Sequence, residues 1–269
     1  MVKGLKVDKA KCTGCGTCAA VCRTNEIKLD EKKIPQPVKP NEPCFMCGHC
    51  VVACPTAAIS YSGMTPENCT PFKRNMMPTV EQVDVLLQSR RSISNYKNKT
   101  VPRETIQSLI EVSRYSPSGL NAQPVHWTVI YDRKDVQRYA SMTIDWLKSV
   151  SKDPAWNKRI PIDTYVGNWE KGREVITYEA PHLVMVHAEG RWEEECKMAM
   201  TFFDLVAHSR GLGTCWMGLL NLAANIWEPL RRDLAYPEAH KSFGVMTLGY
   251  PKYNYFRIPT RKEPVITWK

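Results

Sequence analysis

Eight of the eleven cysteines in this 269-residue chain lie between Cys12 and Cys54, in two runs of identical spacing. Each run has the form Cys-x2-Cys-x2-Cys-x3-Cys, and Pro55 follows the second run. An internal repeat of this kind indicates two copies of one structural unit, and it restricts the N-terminal part of the chain more than any other feature. The eight residues are Cys12, Cys15, Cys18, Cys22, Cys44, Cys47, Cys50 and Cys54.

The cysteines are better explained by metal ligation than by disulfides. Met1–Lys11 has no apolar run typical of a signal peptide, so we expect a cytoplasmic protein whose thiols stay reduced. A structural zinc site is one alternative, but two pairs of cysteines would suffice for it. Three thiolates two residues apart instead surround the irons of a cubane cluster, and nearby glycines let the backbone approach it closely.

The two runs resemble those of bacterial two-cluster ferredoxins, in which the fourth cysteine of each run ligates the other cluster. The resemblance implies one [4Fe–4S] cluster on Cys12, Cys15, Cys18 and Cys54. It implies a second cluster on Cys44, Cys47, Cys50 and Cys22. We therefore predict a two-cluster domain over residues 1–62, a proline-punctuated linker over 63–78 and a second domain over 79–269.

Helices and strands alternate irregularly in the second domain. A capping box at Thr79 and Gln82 predicts a helix start, and apolar spacing predicts another helix from Arg103. A long helix is predicted over 193–210, ended by Gly211. Short strands are predicted over 127–131, 183–186 and 243–248. The predicted core-facing residues of the long helix are Met198, Phe202, Leu205 and Val206.

This pattern predicts an α+β layered domain rather than a dinucleotide-binding unit, because no G-x-G-x-x-G turn opens a helix after a strand. The segment 145–178 is poorly patterned, and we expect it to supply a lid. Its aromatic residues either line a pocket for a flat substrate or pack the lid itself, and packing is the simpler interpretation. They are Trp146, Trp156, Tyr165 and Trp169.

Three ordered segments carry a resemblance to the FMN-dependent nitroreductase family. They are Arg90–Tyr96, Ser116–Pro124 and Gly211–Gly218, followed by a late Pro259-Thr260-Arg261. The resemblance covers about residues 79–269 and implies an α+β fold with a central, mainly antiparallel sheet. It also implies a homodimer with FMN at the subunit interface.

The resemblance assigns roles to individual positions. Arg90, Arg91, Ser92 and Arg261 match the phosphate side of the flavin, where fixed positive charge is needed. Ser116, Pro117, Ser118 and Asn121 match a loop that reaches the flavin of the partner subunit. Trp216, Met217, Gly218 and Leu219 match the stretch along the inner face of the flavin ring.

Ser94 departs from the family pattern. The family usually places arginine or lysine there, near the N1–C2 edge of the flavin. Without that cation the reduced, anionic ring is less stabilised, and we expect a lower flavin potential that suits a flavin supplied by low-potential clusters.

From the combination of the two domains in one chain, we predict an enzyme that passes electrons from a donor through the clusters to FMN and on to an organic acceptor. The resemblance implies nitroaromatic or quinone acceptors, with ferredoxin, flavodoxin or NAD(P)H as the donor. A net charge of +10 is spread along the chain, and we expect neither nucleic-acid nor membrane binding. Two alternatives stay open: an electron carrier or redox sensor without turnover, and a reductive dehalogenase of the same superfamily.

Overall fold

The computed structural model describes residues 4–38 and 44–269, so the first three residues of the Met1–Lys11 segment lie outside it. The described chain divides into two compact units. The first comprises the residues up to Met77 together with Gly119–Ala122, and the second comprises Pro78–Ser118 and Gln123–Lys269. Each unit has its own buried core.

The first unit is built from two small antiparallel sheets and two short helices. Strand β1 pairs with β4, and β2 pairs with β3. Cys18, Ile27, Val51 and Ile59 form its small core. The elements are β1 (Leu5–Val7), α1 (Thr17–Ala20), β2 (Ile27–Leu29), β3 (Pro35–Pro37), α2 (His49–Val52) and β4 (Ile59–Tyr61).

The two halves of this unit repeat the same local geometry. Gly16 precedes α1 with a φ of 77°, and Gly48 precedes α2 with a φ of 75°. Only glycine adopts this left-handed backbone readily. A Cβ at Gly48 would also lie 2.6 Å from the sulfur of Met64. The repeat seen in the sequence is therefore a repeat of backbone conformation.

The second unit is an α+β domain around a four-stranded antiparallel sheet of order β5-β6-β8-β7. Its strands and the helices that cover them enclose two buried clusters of apolar side chains. The elements are α3 (Val80–Ser89), α4 (Arg103–Ser113), β5 (His126–Ile130), α5 (Arg133–Val150), α6 (Pro154–Asn157), α7 (Ile162–Glu170), β6 (His182–Glu189), α8 (Glu193–Ser209), β7 (Gly213–Trp216), α9 (Gly218–Ile226), α10 (Glu228–Leu234) and β8 (His240–Gly249).

Several predicted elements are confirmed. The side chain of Thr79 accepts a hydrogen bond from the Gln82 amide, and the Gln82 side chain accepts one from the Thr79 amide, so α3 begins with the predicted capping box. Gly211, with a φ of 71°, follows the end of α8. The mainly antiparallel sheet implied by the resemblance is present.

The segment 145–178, for which the sequence pattern predicted no helix, contains the end of α5 and all of α6 and α7. One expectation for a helix is wrong. The core face of α8 is displaced around the helix: Phe203 is fully buried and Phe202 is 39% exposed. The buried residues of α8 are Cys196, Ala199, Met200, Phe203, Asp204 and Ala207.

Candidate functional site

The first unit gathers four cysteines of the two runs around one small cavity. Besides the loop 12–18, this cavity is lined by Pro35, Thr56, Ala58 and Ile59. The four thiols come from both runs, and Cys22 is not among the lining residues. The fourth cysteine of the second run therefore lies beside the first three cysteines of the first run, which is the arrangement that the ferredoxin resemblance implies. The four cysteines are Cys12, Cys15, Cys18 and Cys54.

Hydroxyl and amide groups surround these sulfurs. Cys15 Sγ lies 3.4 Å from Thr17 Oγ1, and hydrogen bonding by Thr17 lowers the pKa of that thiol. The Ala58 amide donates to Cys54 Sγ at 3.2 Å. Burial raises the pKa of Cys54, but the hydrogen bonds from the Ala58 amide and from Thr56 outweigh burial and lower it. Such donors stabilise thiolates, the form that binds iron.

The second set repeats this pattern around Cys22 and Cys50. The Glu26 amide donates to Cys22 Sγ at 3.3 Å, as the Ala58 amide does to Cys54. Burial raises the pKa of Cys50 to about 11, and the nearby thiols of Cys44, Cys47 and Cys22 add to this effect. Four neighbouring thiolates repel one another, and iron supplies the positive charge that offsets the repulsion. The residues present fit a second cluster.

In the second unit, the segment after α3 lies along the edge strand β7. Ser92 forms a parallel bridge with Thr214, and the Ile93 amide donates to the Thr214 carbonyl at 2.8 Å. Ile93 and Gly213 pack so closely that a Cβ on Gly213 would lie 2.5 Å from Ile93 Cγ1. Two of the three predicted flavin segments are therefore neighbours.

Asp204 fixes this junction, and the sequence interpretation missed it. Arg90 Nη1 lies 3.4 Å from Asp204 Oδ2, and the Thr214 hydroxyl donates to Asp204 Oδ1. Burial raises the pKa of Asp204, against the hydrogen bond from Thr214 and the charge of Arg90. Asp204 lies outside the core face that the sequence predicted for α8, so no sequence signal indicated its burial; buried charges are normally paired. Arg90 is thus held in place by Asp204.

The segment at the start of α9 combines buried and exposed residues. The Met217 amide donates to the Val245 carbonyl at 2.8 Å, and Met217 is buried. Trp216 is 41% exposed, and its ring lies over Gly244, where a Cβ would approach it to 3.0 Å. Gly218 has no atom within 4 Å of the position of a Cβ. Space is therefore open beside the stretch predicted to follow the flavin ring.

The other predicted site residues are half-buried or exposed. Arg91 is half-buried, and Ser94 and Arg261 are exposed; Arg261 follows the last strand. Ser118 Oγ accepts from the Gln123 amide at 3.0 Å. The Asn121 side chain donates to the Met46 carbonyl at 3.0 Å, within the first unit. Ser116 is half-buried and Pro117 is exposed.

A cavity of about 420 Å³ opens beside Gly218 and Leu219. Trp156 and Tyr165 line it, as does the cationic side chain of Arg159. The Trp156 ring is held by an edge-on contact with Trp146, at 5.4 Å between ring centroids and an angle of 86°. Two of the four lid aromatics therefore line a pocket, whereas Trp146 is 1% exposed and belongs to the core.

The fold and these sites define a class of protein: an FMN-dependent oxidoreductase joined to an iron–sulfur domain. Residues 87–250 match the nitroreductase family, and residues 11–71 match the 4Fe-4S dicluster domain. Since the first match covers more than half of the chain, the protein belongs to the nitroreductase family. Its cofactors are FMN and two [4Fe–4S] clusters.

Known relatives support this membership. A homologue named NADH dehydrogenase/NAD(P)H nitroreductase, from Methanothermobacter thermautotrophicus, is 28% identical over 65% of this chain and 81% of its own length. A nitroreductase with bound FMN from Bacteroides fragilis has a TM-score of 0.57 and 25% identity, covering 70% of this chain and 98% of that chain. A 4-nitrobenzoate reductase from Nocardioides is 35% identical over 21% of this chain and 23% of its own length.

Within the described residues, every helix is too short or too polar to span a lipid bilayer.

Proposed function

We propose that this protein passes electrons from a donor through its two clusters to FMN, and that its acceptor is a flat aromatic molecule with an anionic substituent. The observation that carries the choice of acceptor is the cavity beside Gly218 and Leu219, in which aromatic rings and one guanidinium face the same space. Flavin supplies the chemistry of collecting single electrons and delivering them in pairs.

The aromatic walls favour a planar ligand. Trp156 and Tyr165 offer π surfaces on two different helices, and aromatic pairs prefer offset or edge-on contact with another ring. Trp156 has a fixed orientation because Trp146 packs against it from the core. A planar acceptor placed between these residues would lie beside Gly218, the open start of α9.

Arg159 favours an anion on that ligand. Its guanidinium carbon lies 6.0 Å from the centroid of the Trp156 ring, and its side chain lines the same cavity. A guanidinium donates two parallel hydrogen bonds to a carboxylate and is the best-suited side chain for that group. The name of the Nocardioides relative supports this class, because 4-nitrobenzoate carries both a nitro group and a carboxylate.

The predicted flavin residues have supporting geometry. Asp204 holds Arg90 beside the Ser92–Thr214 bridge, where a phosphate would meet a cation and a hydroxyl. We propose that Arg91 and Arg261 add positive charge to this phosphate site, and that Met217, Gly218 and Leu219 follow the ring.

We also propose a homodimer. Helix α3 has no buried residue, and its apolar side chains Val80 and Val85 are 72% and 56% exposed. The segment after β8 exposes Phe256, Val265 and Trp268 by 85% or more. Exposed apolar surface of this extent is typical of an interface, and a partner subunit would cover it. The partner would also bring the Ser116–Ser118 loop to a flavin.

The experiment begins with anaerobically purified protein that contains about eight irons and one FMN per chain, as expected for two clusters and one flavin. Steady-state kcat/KM is measured for 4-nitrobenzoate and for neutral nitrobenzene, in wild type, Arg159→Gln and Lys158→Gln. Lys158 is a matched control because it is a neighbouring exposed cation that does not line the cavity.

Arg159→Gln is expected to lower kcat/KM for 4-nitrobenzoate by about 10- to 100-fold, the effect of losing one charged hydrogen bond. The kcat/KM for nitrobenzene should stay within about 3-fold of the wild-type value. Lys158→Gln should leave both substrates nearly unchanged. Equal losses for both substrates in Arg159→Gln would contradict the role of the anion. Stoichiometric FMN without turnover of any acceptor would favour the carrier or sensor alternative.

A further inference from the structure

Three histidines meet on one face of the sheet in the second unit. His126 is the first residue of β5 and lies directly opposite His187 of β6. His240 is the first residue of β8, the other neighbour of β6. The register between β6 and β8 shifts between Val186 and His187, and a bulge of this kind re-aims side chains.

The ring nitrogens of these histidines are close enough to share one ion. One nitrogen from each ring lies within 4.8 Å of the other two, and Nδ1 of His187 is 2.9 Å from Nδ1 of His240. Zinc binds histidine nitrogen at about 2.0–2.1 Å, so two ligands of a tetrahedral ion lie about 3.4 Å apart. The observed spacings bracket that value, and small rotations of the rings satisfy it.

The surroundings of His187 match those of a metal ligand. The residue is 5% exposed, and its Nε2 lies 3.2 Å from Thr128 Oγ1. Its ring is stacked on Tyr236, with centroids 3.9 Å apart and an angle of 15°. Metal-binding histidines usually have their second nitrogen fixed by such a partner. Here the partner leaves Nδ1 directed at the other two rings.

A hydrogen bond between two imidazole rings accounts for only part of this arrangement. It joins His187 to His240, with one nitrogen donating and the other accepting. His126 also approaches both rings, at 5.4 Å and 4.7 Å between centroids, from the exposed side. Side chains from three strands thus bring three imidazole nitrogens to one point.

We propose that His126, His187 and His240 bind one divalent transition-metal ion of the zinc class, through one nitrogen each, with water in the fourth position. The ion would join β5, β6 and β8 at one end of the sheet. Strand β8 has ten residues, and Val245 and Met246, which bond Met217 and pair with Trp216, lie five and six residues from His240, roughly 17 to 20 Å along the strand. The ion stabilises the sheet.

The test uses the intact protein with both clusters and FMN in place, so that the cluster cysteines are occupied. After treatment with a mild chelator, Zn²⁺ is added in a calorimetric titration, and Co²⁺ is added for its absorption spectrum. The variants are His126→Ala, His126→Ala/His240→Ala and Thr128→Val, with His208→Gln as the control outside the cluster. His126 and His240 are chosen because they are more exposed than His187 and their replacement spares the core.

We expect one Zn²⁺ per chain in wild type and in His208→Gln, with a higher thermal midpoint when the ion is bound. His126→Ala should weaken binding by about 100-fold or more, and Thr128→Val by about 10- to 100-fold. The Co²⁺ spectrum should show nitrogen and oxygen ligands without sulfur-to-metal charge transfer. Equal Zn²⁺ affinity in wild type and the double variant, or a sulfur-ligated Co²⁺ spectrum, would overturn the proposal.

Discussion

The contact between Gly213 and Ile93 allows a direct test of how the flavin site is assembled. Gly213 is buried in β7, and an added Cβ would lie 2.5 Å from Ile93 Cγ1 and 2.8 Å from Ile93 Cβ. Carbon atoms in normal contact are about 3.5–4.0 Å apart, so the methyl group of an alanine at position 213 would be roughly 1 Å too close to Ile93. Ile93 is 6% exposed, and the obstructing atoms lie next to its backbone. The segment from Arg90 to Ser94 must therefore move away from β7.

Overpacking of this kind costs about 1–3 kcal/mol. For a domain of this size, that corresponds to a fall of about 2–12 °C in the thermal midpoint of the second unit. The same movement displaces Arg90 from the position that Asp204 gives it. Loss of one charged hydrogen bond to the FMN phosphate would weaken FMN binding by about 10- to 100-fold.

The assay is thermal unfolding of the second unit, combined with FMN binding measured by flavin fluorescence. Gly167→Ala is the matched control, because Gly167 lies within α7 and has no atom within 4 Å of a Cβ position. That substitution should raise stability by about 0.5–1 kcal/mol, since alanine is the better helix former. Gly213→Ala is thus predicted to lower the stability of the second unit, and Gly167→Ala to raise it.

A double-mutant cycle isolates the contact. Ile93→Ala removes Cγ1 and Cγ2 but keeps the Cβ at 2.8 Å, so Gly213→Ala in that background should cost less than in wild type, by about 0.5–2 kcal/mol, and should retain part of its cost. Wild-type stability and FMN affinity in Gly213→Ala, or strictly additive effects in the double variant, would refute the reasoning.

Two further changes test electrostatic features. Ser94→Arg should raise the flavin midpoint potential, because a cation near the N1–C2 edge stabilises the reduced anionic ring; an unchanged potential in spectroelectrochemical titration would contradict this. Burial lowers the pKa of His182, whose Nε2 accepts from the Val101 amide at 2.9 Å, while its Nδ1 lies 2.7 Å from the Tyr131 carbonyl. The unfolded chain therefore takes up a proton below about pH 6.5 that the folded chain does not, so this contribution to stability is full above that pH and is lost as the pH falls. His182→Gln should flatten the pH dependence of the free energy of unfolding below about pH 6.5, which denaturant titrations at several pH values measure. If the variant and the wild type show the same pH dependence, the assignment is wrong.

Features that depend on neighbours in the chain could be predicted from the sequence. The cysteine runs, the capping box at Thr79 and the helix stop at Gly211 each involve residues within a turn or two of one another. Helix α5 could also have been found, because Val136, Tyr139, Thr143 and Leu147 are buried and recur at helical spacing.

The face of α8 shows where periodicity alone is insufficient. Phe202 and Phe203 are adjacent and equally apolar, and either one satisfies a helical pattern. The sheet beneath the helix selects Phe203, whose ring packs 5.7 Å from that of Trp127. Phe202 is left on the surface. The choice between two such residues depends on the total area buried, which a single helix does not define.

The sequence by itself determined the repeat of the cysteine runs and the ordered motifs of a flavin-binding domain, because both are patterns along the chain. Only the tertiary structure decided that Asp204 holds Arg90, that Arg159 faces a cavity beside Gly218 and that His126 meets His187 and His240. These groups are separated by tens of residues in the chain. Strand register and helix packing bring them together, and both are set by burial of the whole core rather than by local spacing.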